Sequence, residues 1–265
     1  MASLRQIFEA ASRRPKPPFW LGSGVGLVAF ANKLRTPFFN VRGGRKLRKL
    51  EVSSDLKIHL GCGKKGKYFP QFINCDMTPH KNVDLIMDCG NLHRFHDQSA
   101  NRIYSNAFFE HLYRDQHSNF VNECHRVLRS QGVLVTFAVP DFEEIARCYL
   151  GGVEVETGKI FDRETAYNQT HGLPESDPLC WIGQLHKSLF DRRYLMDLHQ
   201  KAGFKEIRLF NYSSKTELTN HNLAILASPG PIETSTWDLV KQFAPFILGK
   251  EASSDRIKNE LVWRA

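Results

Sequence analysis

Three glycines, four carboxylates and three histidines carry the chemistry legible in this chain. The apolar run Lys57-Ile58-His59-Leu60 leads straight into Gly61-Cys62-Gly63-Lys64-Lys65-Gly66. Glycine has no Cβ, so the backbone can turn with φ > 0 and a ligand can approach the main chain closely. That is the first half of a nucleotide-type cofactor site. Asp76 closes a second apolar segment, 72–75, and Asp88 closes a third, 83–87. Each acid can accept hydrogen bonds at the carboxyl edge of a sheet, where open α/β folds bind ligands. The glycines also satisfy G-x-G-x-x-G, a dinucleotide fingerprint in which an acid about 20 residues on takes the ribose. Here Asp76 follows Gly61 by only 15 residues.

A second group of residues could move protons or touch a substrate. Glu110-His111 follows the fourth apolar segment, and a histidine there can titrate near neutral pH. Asp141 follows Pro140 at the end of the fifth segment, which suits substrate binding or proton removal. His171 and His186 lie in or beside a long irregular stretch and are candidates for substrate contact. No metal is expected: the six cysteines (62, 75, 89, 124, 148 and 180) contain no C-x-x-C pair, which argues against a zinc site or a disulfide framework. Cys62, Cys75 and Cys89 flank the candidate contacts and read as small apolar filler.

The elements that must position these residues alternate from residue 57 onward. Strands are expected at 57–60, 72–76, 83–87, 102–106 and 133–139, and a helix at 115–129 with Asp115 as its N-cap. A second helix follows Asp141, and a third runs from Asp191 to Ala202, stopped by Gly203. Residues 151–188 break the alternation and read as an insertion that carries substrate contacts. Strands at 205–210 and 222–227 have only a polar connection between them, which implies an antiparallel pair. The segment 231–265 reads as helical, able to cap the sheet or form a homodimer contact. The domain plan is therefore a basic extension over 1–52, a ligand-binding α/β domain over 53–230, and a helical segment over 231–265.

Charge is unevenly spread. Residues 1–50 hold eleven lysines and arginines against one acid, a net of +10, which leaves −2 of the total +8 for residues 51–265. Attraction to an anionic membrane or to a polyanion would therefore reside in residues 1–50. Residues 3–14 fit a short amphipathic helix, and 19–31 form an apolar, glycine-rich stretch suited to packing on the domain or to docking at a membrane surface. An organelle transit peptide is an alternative for the acid-poor start. No apolar run reaches the length of a membrane span. The cysteine usage fits a reducing cytoplasm.

The pattern IHLGCGKKG…FINCDM…VDLIMDCGNL…IYSNAFFEHL…ECHRVLRSQGVLVTFAVPD, within residues 57–228, resembles the class I S-adenosylmethionine-dependent methyltransferases, and among them the type-11 group. The resemblance implies a Rossmann-like, doubly wound, mostly parallel seven-stranded sheet with an antiparallel C-terminal hairpin. That hairpin favours S-adenosylmethionine over a nicotinamide cofactor. It also implies that Gly61 and Gly63, with the Cys62 backbone, lie under the methionine portion, and that Asp76 holds the ribose hydroxyls. Asp88 would meet the adenine amino group, the Cys89 backbone the ring, and Asn106 the methionine end. Ser130-Gln131-Gly132 stands where the family has a Pro-Gly-Gly turn, a feature of fold rather than of site. The implied activity is methyl transfer to oxygen or nitrogen of a small molecule or glycan intermediate. Transfer to RNA or protein is the alternative, although no nucleic-acid module is visible. A non-catalytic scaffold that keeps the fold is the third reading.

Overall fold

The structure is a computed structural model in which residues 24–63, 68–156, 159–172, 185–212, 221–243 and 253–265 are described. Five strands run parallel: β1 (Leu56–Leu60), β2 (Ile73–Asp76), β3 (Leu85–Ile86), β4 (Ala100–Asn106) and β5 (Leu128–Pro140). Three more are antiparallel to their neighbours: β8 (Glu206–Tyr212), β9 (Asn222–Ser228) and β10 (Ile257–Arg264). Their order is β10-β8-β9-β5-β4-β1-β2-β3. The chain steps outward from β1 to β3, then returns to the other side of β1 as β4. That reversal opens a crevice outside the carboxyl ends of β1 and β4, the usual ligand position in such sheets.

Strict alternation along the strands builds a core on each face. Leu56, Ile58 and Leu60 of β1 point to one face, with Ile103, Leu134 and Ile225. Helices α2 (His117–Val127) and α5 (Arg192–Lys201) cover it through Phe120, Val121, Cys124, Leu195 and Leu198. The other face carries Tyr104, Val135, Phe137, Phe210 and Leu226, covered by Leu239, Val240 and Phe243. Tyr104 and Phe243 stack with ring centroids 3.9 Å apart.

Three expectations require correction. The sheet has eight strands rather than seven, because residues 257–264 pair with β8. The segment 231–265 is accordingly not helical throughout; among its described residues the only α-helix is Thr236–Val240. Its apolar residues serve different partners, Phe243 packing on the sheet and Trp263 sitting on an edge strand. The insertion contains a small hairpin, β6 (Glu154–Glu156) with β7 (Lys159–Ile160), and helix α4 (Arg163–His171). Asp162 caps α4, accepting from Thr165 N at 2.7 Å. Asp115 does not cap α2; it lies in a 3-10 turn, and Gln116 takes the N-cap position.

The basic extension is part of the fold. Residues Gly24–Val52 form one long helix, α1, which is docked against the sheet. Asn40 Oδ1 accepts Ile86 N–H at 2.8 Å, and Lys46 Nζ meets Asp84 Oδ2 at 2.6 Å. The contact is close enough that a Cβ on Gly43 would lie 2.0 Å from the Asp84 carbonyl oxygen. Leu47 and Leu50 pack on the core. The two-residue edge strand β3 is thereby covered, one of the ways sheets protect an edge. The expected helix at 3–14 and the first part of the 19–31 stretch lie outside the described residues.

Candidate active site

The glycine turn leaves β1 with Gly61 at φ +63° and Gly63 at φ +56°, the left-handed region. A Cβ on Gly61 would sit 2.7 Å from the Phe108 ring, so the loops after β1 and β4 meet here. Cys62 N–H donates to Cys75 O at 3.1 Å, extending the β1–β2 ladder into the turn. Gly63 N–H then donates to Asp76 Oδ2 at 2.8 Å. Asp76 Oδ1 accepts the Thr78 N–H at 2.9 Å and its hydroxyl at 2.8 Å. A carboxylate offers about four acceptor positions, and three are taken here, so Asp76 keeps about one for an added hydroxyl while fixing the turn. Asp88 is exposed past β3, and its Oδ1 accepts Gly90 N–H at 2.8 Å. Asn106 ends β4 opposite Phe137. These donors and acceptors, gathered at one sheet edge, fit the sugar and base of S-adenosylmethionine.

The cysteines here are structural. Cys62, Cys75 and Cys89 are each buried, and burial pushes all three thiols well above the usual range. Thiolate chemistry is therefore suppressed.

Beneath the turn lies a polar network that the sequence did not reveal. Buried Asn74 donates to Phe69 O, Phe72 O and Asp84 Oδ2 and contacts His59 Nδ1 at 3.0 Å. Asp84 in turn accepts from Asn74 N at 3.0 Å, Tyr68 OH at 3.2 Å and Lys46. His59 is held neutral, its pKa lowered to about 4 by burial.

On the β4 side the structure joins three candidates. Glu110 Oε1 lies 3.9 Å from His111 Nε2 and 4.0 Å from His186 Nε2. The two rings are 5.2 Å apart at 66°. Glu110 is buried, its Oε2 has no hydrogen-bond partner among the described residues, and burial pushes its pKa up to about 8. His111 is lowered to about 4 by burial, and His186 is lowered for the same reason. A strap over residues 185–190 closes this place: Lys187 N and Nζ donate to Glu110 O and His111 O, both at 2.8 Å, and Ser188 Oγ donates to Leu112 O at 2.9 Å.

The other two candidates stand outside this cluster. Asp141 is buried with its pKa raised by burial; Oδ2 accepts Asn211 Nδ2 at 3.0 Å, and Phe190 bridges its backbone. His171 is exposed and stacked on Tyr167 at 4.5 Å, contributing only its carbonyl to His186 N–H. Sequence reasoning also missed Phe108, which buttresses Gly61. Ala107, the residue after β4, takes φ +48°, and nothing in its residue type announces that.

Residues 59–136 match the methyltransferase domain family. No curated protein matches the chain. Among solved structures, a methyltransferase from Thermotoga maritima shares 16% identity over 76% of this chain and 95% of its own, with a TM-score of 0.44. One from Archaeoglobus fulgidus shares 12% over 85% and 100%, also at 0.44. One from Mesorhizobium loti shares 14% over 69% and 96%, at 0.43. The family match spans the glycine turn, both strand-end acids and Glu110-His111: residues 59–136 form a methyltransferase domain, and the chain is an enzyme that uses S-adenosylmethionine.

Proposed function

We propose that the enzyme methylates an oxygen or nitrogen of a small molecule or glycan intermediate. The observation that supports this reading is the enclosed, mostly uncharged cluster of Glu110, His111 and His186 beside the carboxyl end of β4. A cleft of about 400 Å³ adjoins it through Lys187 and Ser188 and is also lined by Arg114, Asp191 and Tyr194. That volume suits a small ligand. S-adenosylmethionine, when bound, supplies a methyl group on positive sulfur, so the acceptor's lone pair takes the carbon as the C–S electron pair returns to sulfur. The chain's own task is to align the acceptor, exclude water and receive the acceptor's proton. His111 Nδ1 contacts Leu185 O at 3.2 Å, and His186 Nδ1 contacts Gln169 O at 2.9 Å. A carbonyl only accepts, so both Nδ1 atoms carry hydrogen and both Nε2 atoms keep a lone pair.

The test supplies methyl-labelled S-adenosylmethionine to the enzyme with separate small-molecule, glycan, RNA and protein fractions of a cell extract. Label in the small-molecule or glycan fraction supports the reading. Label confined to RNA or protein would replace it.

Arg42, Arg45, Arg48 and Lys49 are exposed on α1, and we propose peripheral contact with an anionic membrane there. No described helix is long and apolar enough to cross a membrane. Sedimentation with anionic vesicles should weaken steeply with salt; indifference to such vesicles at low salt removes the idea.

A further inference from the structure

The geometry points to a divalent transition-metal site formed by Glu110 Oε1, His111 Nε2 and His186 Nε2. One donor atom from each of the three residues lies within 4.8 Å of the others. Two imidazoles with one carboxylate suit zinc, iron, cobalt or nickel rather than the all-oxygen shells of magnesium and calcium.

Two independent features favour a cation over a chance gathering. Each histidine gives its Nδ1 hydrogen to a backbone carbonyl, Leu185 O or Gln169 O, which fixes the tautomer and aims the Nε2 lone pair inward. Such outer hydrogen bonds are the usual support of metal-bound histidine. Glu110 is 2% exposed, and its Oε2 has no partner among the described residues. A buried carboxylate oxygen without a donor needs compensation, and a doubly charged ion at Oε1 would supply it. The supporting carbonyls also come from separate elements, α4 and the strap, so the ligand atoms are fixed from both sides of the insertion.

The 3.9 and 4.0 Å separations exceed the spacing of about 3.4 Å expected for ligands bound tetrahedrally at about 2.1 Å, so loading draws Glu110 Oε1 toward each histidine by roughly half an ångström. Three protein ligands leave a coordination position open, as catalytic sites do. In the role that follows, which rests on the small-molecule reading above, that position takes the acceptor's oxygen and lowers the pKa of its hydroxyl, whose proton then leaves to water, because both Nε2 lone pairs are held by the metal. Metal binding itself does not depend on that role.

The test is titration of the full-length protein with cobalt(II), read by visible absorption and calorimetry. The expected result is one saturable site that zinc displaces. Affinity should fall more than about tenfold in both His186→Ala and Glu110→Gln. Parent protein with no saturable cobalt site overturns the proposal without recourse to any variant, as does affinity unchanged in both variants. S-adenosylhomocysteine binding is measured in parallel. Its persistence in protein that ignores cobalt discards the metal and keeps the methyltransferase, whereas its absence strikes the methyltransferase reading instead.

Discussion

Two halves of the same sheet edge rest on opposite foundations. The half that follows β1, β2 and β3 offers hydrogen bonds to a ligand above a network in which Asn74 and Asp84 are fully engaged. The half that follows β4 and β5, with helix α5 packed on it, is incompletely satisfied: Glu110 Oε2, Asp141 Oδ1 and His199 Nε2 are all buried without partners among the described residues. Native proteins satisfy most buried polar groups, and the exceptions cluster where chemistry occurs. One half is therefore built to hold and the other to react. The separation lets either be damaged alone.

The strongest blow to the holding half is Gly61→Val. The left-handed φ and the collision with Phe108 together should cost at least about 3 kcal/mol. Cofactor binding should drop beyond detection in calorimetry with S-adenosylhomocysteine; parent-like affinity would put the turn outside the cofactor site. Asp76→Ala should weaken the same binding by about 1–3 kcal/mol. It removes the acceptor for Gly63 N–H as well as the carboxylate meant for the ribose. A loss seen in melting temperature without any loss of affinity would reduce Asp76 to a turn anchor.

On the reacting half, His199 lies under Phe109, buried and neutral, with its pKa lowered to about 4. The folded value lies below the ordinary 6.5, so the unfolded chain binds more protons between the two. Stability tied to this group is complete above pH 6.5 and drains away as pH falls through 4. His199→Leu cannot be protonated and should therefore gain about 2 kcal/mol relative to the parent between pH 7.5 and pH 5. Parallel urea midpoints at the two pH values measure it; an unchanged difference would mean that His199 titrates in the fold as it does in the unfolded chain. The mildest change is Lys46→Met, which strands Asp84. Lys46 is 22% exposed, so about 1.5 kcal/mol is expected rather than the 3–5 of a fully buried pair. No change in melting would make the attachment of α1 independent of that ion pair.

The holding half was legible because its information is local. Residues 61–88 carry the turn, two strand-end acids and period-two apolar segments in one run, and the β-strand alternation survives in the folded core. The reacting half required residues 74 positions apart to meet, as His111 and Leu185 do. No periodicity encodes that meeting, so Glu110 and His111 could be named while His186 could not be joined to them. Asp141 was singled out by its place after β5 and turned out to be tied to Asn211. The contacts of α1 were hidden by its charge, which pointed to an anionic surface, whereas Lys46 is spent on a buried acid. Residues 257–264 escaped because an edge strand with one weakly buried side has little alternation to read.

The sealed thiols of Cys62, Cys75 and Cys89 give the holding half a reporter of its own motion. A small alkylating reagent can reach them only when the turn or the strands beneath it open, so labelling kinetics count those openings in the unmodified protein. A ligand seated over the turn slows that clock without touching sulfur.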